Sequence, residues 1–278
     1  MEIQLIILQF FESIRSEILT LIMTIITMMA EGLFIVGILA GLYWCIDKKV
    51  ATKLSWSVLF SLVGNGVIKN LVRMPRPFQV EDITPLRPET ATSYSFPSGH
   101  TQTATSFWSS AMLVIRTRGI KIAGVTIIIL TAISRMYLGV HWPMDVVGGI
   151  AFGVIFTLIA TKLLDEDASI TMKHVVGTSI VLLIVLCLKV DADLYKSAAA
   201  LWGMSLGVYI EQSYIKFIPY QSKKVQIKKI IVGIIGLVII YIGIGVLLPD
   251  VKIIDVIKYA TTLLWVTAGA PYFFKKIK

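Results

Sequence analysis

Three short stretches bring ionisable side chains to the edges of runs that otherwise exclude charge. Ser134 to Asp145 reads SRMYLGVHWPMD, Lys69 to Pro77 reads KNLVRMPRP, and Pro97 to His100 reads PSGH. Ionisable groups beside an apolar span are costly to keep there and mark function. The residue types fit phosphoryl transfer, which needs cations on the equatorial oxygens, an in-line nucleophile and a proton for the leaving oxygen. Lys69, Arg76 and Arg135 supply the cations. Arginine offers a planar fork matched to phosphate oxygens, and lysine a point charge. His141 and Asp145 stand four apart, which on a helix is one turn and a shared face. A carboxylate that accepts from one ring nitrogen fixes the tautomer and leaves the other nitrogen free to attack.

These side chains need elements that deliver them to one place. Lys69 ends an apolar run, and Pro75 and Pro77 then stop the helix and extend the chain, so that Arg76 can turn back toward the same pocket. Ser98 and Gly99 fall at the start of the 100–115 run, where free backbone N–H groups and the helix dipole favour an anion. Gly99 lets the backbone approach closely. His100, placed there, can donate a proton to a leaving oxygen. Gly139 gives flexibility between Arg135 and His141. Taken singly, each stretch has a plainer reading: a local His–Asp hydrogen bond, a helix start, and basic residues snorkelling at a membrane edge. Their joint occurrence in this order is what favours one shared site.

The scaffold is a polytopic membrane bundle. The chain of 278 residues is 56% hydrophobic and 15% charged, against about 25% charge for a soluble domain, and its mean hydropathy is +0.82. Residues 3–12 are too short to span and read as an interfacial lead-in, giving an N-terminal segment 1–16. Candidate spans are 17–45, 51–72, 100–115, 119–138, 142–163, 172–189, 195–216, 229–248 and 256–274, nine in all. The first would be about 43 Å long as a helix, more than the ~30 Å hydrocarbon core, so a break is expected at Ala30-Glu31-Gly32. Glu31 is expected to have a structural partner. Loop 73–99, with five prolines, reads as a lid or cover over a substrate site.

Net charge is +9. The basic residues lie in short loops, where they set topology and meet anionic headgroups, so no nucleic-acid partner is expected. Sixteen, including Lys48, Lys49, Arg116, Arg118, Lys223, Lys224 and Lys278, fall on one side, and seven, including Arg15, Arg73, Arg87 and Lys252, on the other. The positive-inside rule then places the C-terminus in the cytoplasm, the N-terminus outside, and all three motif stretches on the external face. Cys45 and Cys187 sit in apolar runs and read as packing residues, with no disulfide or metal cluster indicated. The start, MEIQ, lacks a basic n-region and a cleavage site and reads as retained.

Together the stretches resemble the signature of the type-2 phosphatidic acid phosphatase superfamily. Its pattern is Lys, six residues, Arg-Pro; then Pro-Ser-Gly-His; then Ser-Arg, five residues, His, three residues, Asp. Lys69, Arg76-Pro77, Pro97-Ser98-Gly99-His100, Ser134-Arg135, His141 and Asp145 match it without a gap. The resemblance covers about residues 30–165. It implies an all-α, six-helix-type phosphatase core, within residues 17–165, and no metal or other cofactor. His141 would become a phosphohistidine, Asp145 would orient it, and His100 would act as general acid. Lys69, Arg76, Ser98, Gly99 and Arg135 would bind the phosphate. Residues 166–278 lie outside that core and add about four spans, which could pack on the core, form a homodimer face or line a lipid path.

The reading that follows is a plasma-membrane phosphatase acting on a lipid phosphate or diphosphate, with the headgroup open between undecaprenyl diphosphate, phosphatidate, phosphatidylglycerol phosphate and sphingoid-base phosphates. One rival is a phosphotransferase that passes the phosphoryl group to a lipid or sugar acceptor. Another is a carrier or flippase for phosphorylated lipid, which would have no need of a His–Asp dyad and a second histidine. Vanadate-dependent haloperoxidases share the anion pocket, but a membrane bundle argues against that activity.

Overall fold

The computed structural model describes residues 2–249 and 251–277; Lys278, counted among the cytoplasmic charges, lies outside the described residues. The described residues form helices and loops with no strand. The helices are α1 (Glu2–Ser13), α2 (Glu17–Met28), α3 (Gly32–Cys45), α4 (Lys48–Val72), a short α5 (Pro77–Val80), α6 (Gly99–Ile115), α7 (Arg118–Tyr137), α8 (Pro143–Leu163), α9 (Met172–Cys187), α10 (Ala192–Ile210), α11 (Lys223–Leu247), α12 (Lys252–Leu264) and α13 (Ala270–Phe274). They fall into two compact units, Met1–Val36 with Phe60–Ala160, and Gly37–Leu59 with Thr161–Lys278.

Every run read as a span forms helix, but the helices are not alike. Four are long and apolar enough to cross a bilayer on their own, Arg118–Tyr137, Pro143–Leu163, Lys223–Leu247 and Lys252–Phe274, and the broken pair α2 and α3 makes five. Four other runs in the nine-span reading, those of α4, α6, α9 and α10, are not among these. α9 is apolar but short. α4 and α6 carry polar residues that are buried inside the protein, among them Ser57, Ser61, Asn65, Thr101, Gln102 and Thr105. Such helices can stand in a membrane only where neighbours satisfy those groups. α11 is the opposite case: only 6% of its apolar window is buried, so its isoleucines face outward, as lipid-facing side chains do. The chain is an integral membrane protein.

In the first unit the expected break is present. Backbone bonds from Ala30 to Thr27 and from Glu31 to Met28 close a tight turn, and helix resumes when Ile35 donates to the Glu31 carbonyl. α1 is docked on this unit. Leu8 packs with Ile83 and Trp142, and Arg15 donates to the carbonyls of Tyr137 (3.0 Å) and Thr84 (2.8 Å). Loop 73–99 is a pinned wall and not a hanging lid. Ile83, Ala91 and Ser95 are buried, and Leu86 donates to the Leu138 carbonyl. α8 lies hard against the start of α6. A Cβ on Gly149 would stand 2.9 Å from the Ser98 carbonyl oxygen, and one on Gly153 2.6 Å from Thr105 Cβ. Small residues four apart let two membrane helices approach to backbone distance.

The second unit uses the same device. A Cβ on Gly203 would stand 2.1 Å from the Ala260 carbonyl oxygen, and one on Gly207 2.0 Å from Thr267 Oγ1. α10 runs into a π-helical turn, Glu211–Ile215. The Glu211 carboxylate is buried there, with Lys48 at 2.7 Å and the Phe217 N–H at 3.0 Å. Lys229 is a buried residue of α11 whose ammonium donates to the carbonyls of Ile218 and Pro219. Cys187, expected to be packed, is exposed.

Candidate active site

All the motif residues belong to the first unit, at the C-terminal ends of α4 and α7, the start of α5, and the N-terminal ends of α6 and α8. His141 and Asp145 meet, but not as two residues on one helix face. His141 lies in the turn ahead of α8, and Asp145 is the third residue of that helix, after Pro143. Asp145 Oδ2 reaches back to accept the Trp142 N–H at 2.8 Å. This is the N3-carboxylate half of a capping box, with proline at N1, where its missing N–H costs nothing. The same oxygen stands 3.2 Å from His141 Nδ1 and accepts from Ser95 Oγ at 2.5 Å. One helix start therefore serves two ends: it caps α8 and it grips the imidazole.

The other face of the ring meets Arg76. Its NH1 stands 3.2 Å from His141 Nε2. A guanidinium only donates, so Nε2 carries the lone pair and Nδ1 carries the hydrogen that Asp145 accepts. That is the tautomer a nucleophilic Nε2 requires. Arg76 is held by the carbonyls of Ser93 (2.7 Å) and Val140 (2.8 Å). Burial pushes the His141 pKa well below the ordinary histidine value, and the positive charges of Arg76, Arg135 and Lys69 push it further. Gly139, expected to be a flexible joint, is a fixed left-handed turn with φ +70. A Cβ there would stand 2.9 Å from both Arg15 NH2 and Ile83 Cγ2.

Arg135 is fully buried on α7. Its NH1 donates to Thr27 Oγ1 at 2.8 Å, while Nε and NH2 have no hydrogen-bond partner. Buried guanidinium donors left without acceptors are expensive, and two of them on one side of the fork fit a bidentate oxyanion. Lys69, also buried, donates to Ser93 Oγ at 2.7 Å. Among the described residues, no three His, Cys, Asp or Glu side chains gather closely enough to hold a metal ion.

Ser98 is the N-cap of α6, and its side chain accepts from the Thr101 N–H. Its own N–H donates to the Asp145 carbonyl at 2.9 Å, which ties the two helix starts together. A Cβ on Gly99 would meet only Asn65 Oδ1, at an ordinary 3.7 Å, so packing alone does not demand glycine there. The His100 ring follows. Its Nε2 is buried with no hydrogen-bond partner and lies 4.0 Å from Glu31 Oε1.

Several contributors were not legible in the motifs. Ser93 and Ser95 stand just ahead of Pro-Ser-Gly-His and hold Lys69, Arg76 and Asp145. Asn65 donates to the Pro97 carbonyl and to Gln102 Oε1, and Gln102 donates to Ser61, which fastens the start of α6 to α4. The one available signal was polarity inside apolar runs: Asn65 lies one turn before Lys69, and Thr27 one turn before Glu31.

The PAP2 superfamily model matches residues 50–168, and the model of the PAP2 superfamily phosphatase transmembrane extension matches residues 195–278. The undecaprenyl-diphosphatase of Sulfolobus acidocaldarius is 30% identical over 116 residues, 42% of this chain and 56% of that protein. Phosphatidylglycerophosphatase B of Bacillus subtilis is 38% identical over 101 residues, 33% of this chain and 46% of that protein. The chain thus spans roughly half the length of these curated relatives. The crystal structure of a transmembrane PAP2-type phosphatidylglycerolphosphate phosphatase from Bacillus subtilis superposes with a TM-score of 0.50 at 25% identity, covering 58% of this chain and 84% of that one. With both models matched in order and the six-residue, five-residue and three-residue motif gaps intact, the chain belongs to the PAP2 superfamily.

Proposed function

We propose that the protein is a membrane phosphatase that hydrolyses a lipid phosphate or isoprenoid diphosphate through a phosphohistidine on His141. The observation that carries this reading is the placing of the His141 ring between Asp145, 3.2 Å from Nδ1, and the cation Arg76, 3.2 Å from Nε2. The Nε2 lone pair attacks phosphorus, and the P–O bond to the lipid breaks. His100, protonated, gives its proton to the leaving alkoxide, or to the leaving lipid monophosphate when the substrate is a diphosphate. The imidazolium formed on His141 keeps its Nδ1–H on Asp145. Water then attacks phosphorus, the P–N bond breaks, and the now neutral His100 takes the water proton. Phosphate leaves and both histidines return to their starting states. Lys69, Arg76 and Arg135 hold the phosphoryl oxygens, with Ser98 and Gly99 at the N-terminus of α6.

Lipid substrates are favoured because the site stands at the ends of apolar helices, and because the relatives' names include an undecaprenyl-diphosphatase and a phosphatidylglycerophosphatase. The charge distribution supports an external site and a cytoplasmic C-terminus in a cell-membrane protein. The test is phosphate release by purified protein from a panel of lipid monophosphates and isoprenoid diphosphates. His141→Ala is expected to insert normally and to lose at least a thousandfold in kcat, with no phosphoenzyme trapped by acid-free quenching. Unchanged turnover would remove His141 as nucleophile, and phosphate appearing on an added acceptor would make the protein a phosphotransferase.

A further inference from the structure

The mechanism above gives no role to a partly buried carboxylate that stands beside His100. Glu31, in the turn between α2 and α3, has its Oε1 4.0 Å from His100 Nε2, a ring nitrogen that is buried and has no hydrogen-bond partner. The same oxygen accepts from Arg87 NH1 at 2.8 Å. Arg87 comes from the 73–99 wall, holds a left-handed backbone (φ 59), and also has Glu89 3.4 Å from its Nε. Glu31 and Arg87 are both about three-quarters buried, with side-chain exposures of 28% and 25%. The charges acting on the His100 ring are Lys69 from α4, Arg76 from the start of α5, Arg135 from α7 and Arg87 from the wall, with Glu31 beside it and His141 acting on it in turn. Glu31 is the carboxylate that stands beside the His100 Nε2, with Glu89 on Arg87 and Asp145 on His141.

We propose that Glu31 is the positioning residue of His100, a second carboxylate–imidazole pair in which Glu31 steadies the Nε2–H of the protonated ring and leaves Nδ1 to pass the proton to the leaving oxygen. Arg87 sets how much of that carboxylate His100 receives. The reasoning is electrostatic. A general acid surrounded by four cations gives up its proton too early unless an anion stands beside it, and an opposite charge within about 4–6 Å favours the charged form. At 4.0 Å the contact is too long for a hydrogen bond in the neutral ring. A short movement of Glu31 closes it when the ring is protonated. No atom is transferred to Glu31; it remains a carboxylate throughout. The proposal rests on the reading of His100 as the acid, and its test separates the two.

The test uses the full-length protein and two substrates, a long-chain alkyl phosphate, whose alkoxide needs a proton to leave, and p-nitrophenyl phosphate, whose phenolate does not. His100→Ala is the reference: it is expected to slow the alkyl phosphate at least a hundredfold more than the aryl one, as loss of general-acid catalysis does. Glu31→Gln is expected to reproduce that selective loss at about tenfold or more and to move the basic limb of kcat/KM to lower pH. Arg87→Gln is expected to move the same limb to higher pH, and Glu31→Asp to restore part of the loss. If His100→Ala is selective but Glu31→Gln slows both substrates equally and leaves the limb in place, Glu31 is merely a partner of Arg87 and the proposal is overturned. Limb shifts of the same sign in the Glu31→Gln and Arg87→Gln proteins overturn it too. If His100→Ala itself shows no selectivity, the acid assignment fails first. Should Glu31→Gln not insert, Glu31→Asp decides: a loss confined to the alkyl phosphate supports the proposal, and an equal loss on both substrates overturns it.

Discussion

Asp145 does two jobs with one oxygen, and this decides how His141 behaves. The carboxylate caps α8 through Trp142 and accepts from the imidazole at 3.2 Å. On the far side of the ring, Arg76 faces Nε2. Burial first, then Arg76, Arg135 and Lys69, keep His141 neutral well below the pH at which a free histidine protonates. The sign follows directly. A nucleophile must be unprotonated, so the acid limb of kcat/KM, which reports the free enzyme, falls below about 6.5. Bound phosphate offsets the surrounding positive charge, so the limb seen in kcat is expected at higher pH than the one in kcat/KM. Both are read after correction for substrate ionisation near 6. An acid limb at or above the ordinary histidine value in kcat/KM would show that the cations do not act on His141.

Among the helices, the decisive contact is between α6 and α8. Gly149 and Gly153 bring the backbone of α8 to the first turns of α6, and Ser106 Oγ donates to the Gly153 carbonyl at 3.3 Å. That contact sets Pro97–His100 beside His141 and Asp145. A side chain placed there must push two helices apart, because the atoms met are backbone and the branched Thr105. Gly153→Val is therefore expected to destabilise the protein by about 3 kcal/mol, at the upper end for overpacking, and to remove activity. Gly177→Ala, in α9 with nothing within 4 Å, is expected to be neutral or to stabilise by up to about 1 kcal/mol. Thermal unfolding of the two variants in detergent measures the difference. Equal Tm values would show that α6 and α8 are not held by this contact.

For the whole molecule the outstanding quantity is orientation. The site residues gather at one end of the first unit, and basic loops dominate the alternate connections. Impermeant thiol reagents read this directly once Cys45 and the exposed Cys187 are replaced. Asp82→Cys, on the exposed part of the 73–99 wall, is expected to label from outside intact cells, and Lys276→Cys, exposed near the C-terminus, only after permeabilisation. The reverse pattern would place the active site in the cytoplasm.

Membrane character, the helices, the break at Glu31 and the three stretches that meet were legible in the residues alone. Those properties depend on composition, apolar periodicity and fixed gaps between charged residues. The residues also located Arg76 beyond the end of α4, because prolines act locally. Tertiary structure decided the rest. His141 and Asp145 are joined by a helix cap and not by a helical face. Gly139 is a rigid turn, the 73–99 loop is a pinned wall, Thr27 and Glu31 enter the site from distant positions, and Ser93 and Ser95 reach across it to Arg76 and Asp145. A hydrogen bond between residues fifty or a hundred positions apart leaves no trace in local spacing, since either partner alone looks like an ordinary polar residue in an apolar run. Only packing, which brings Thr27 to Arg135 and Arg87 to Glu31, gives those residues their partners.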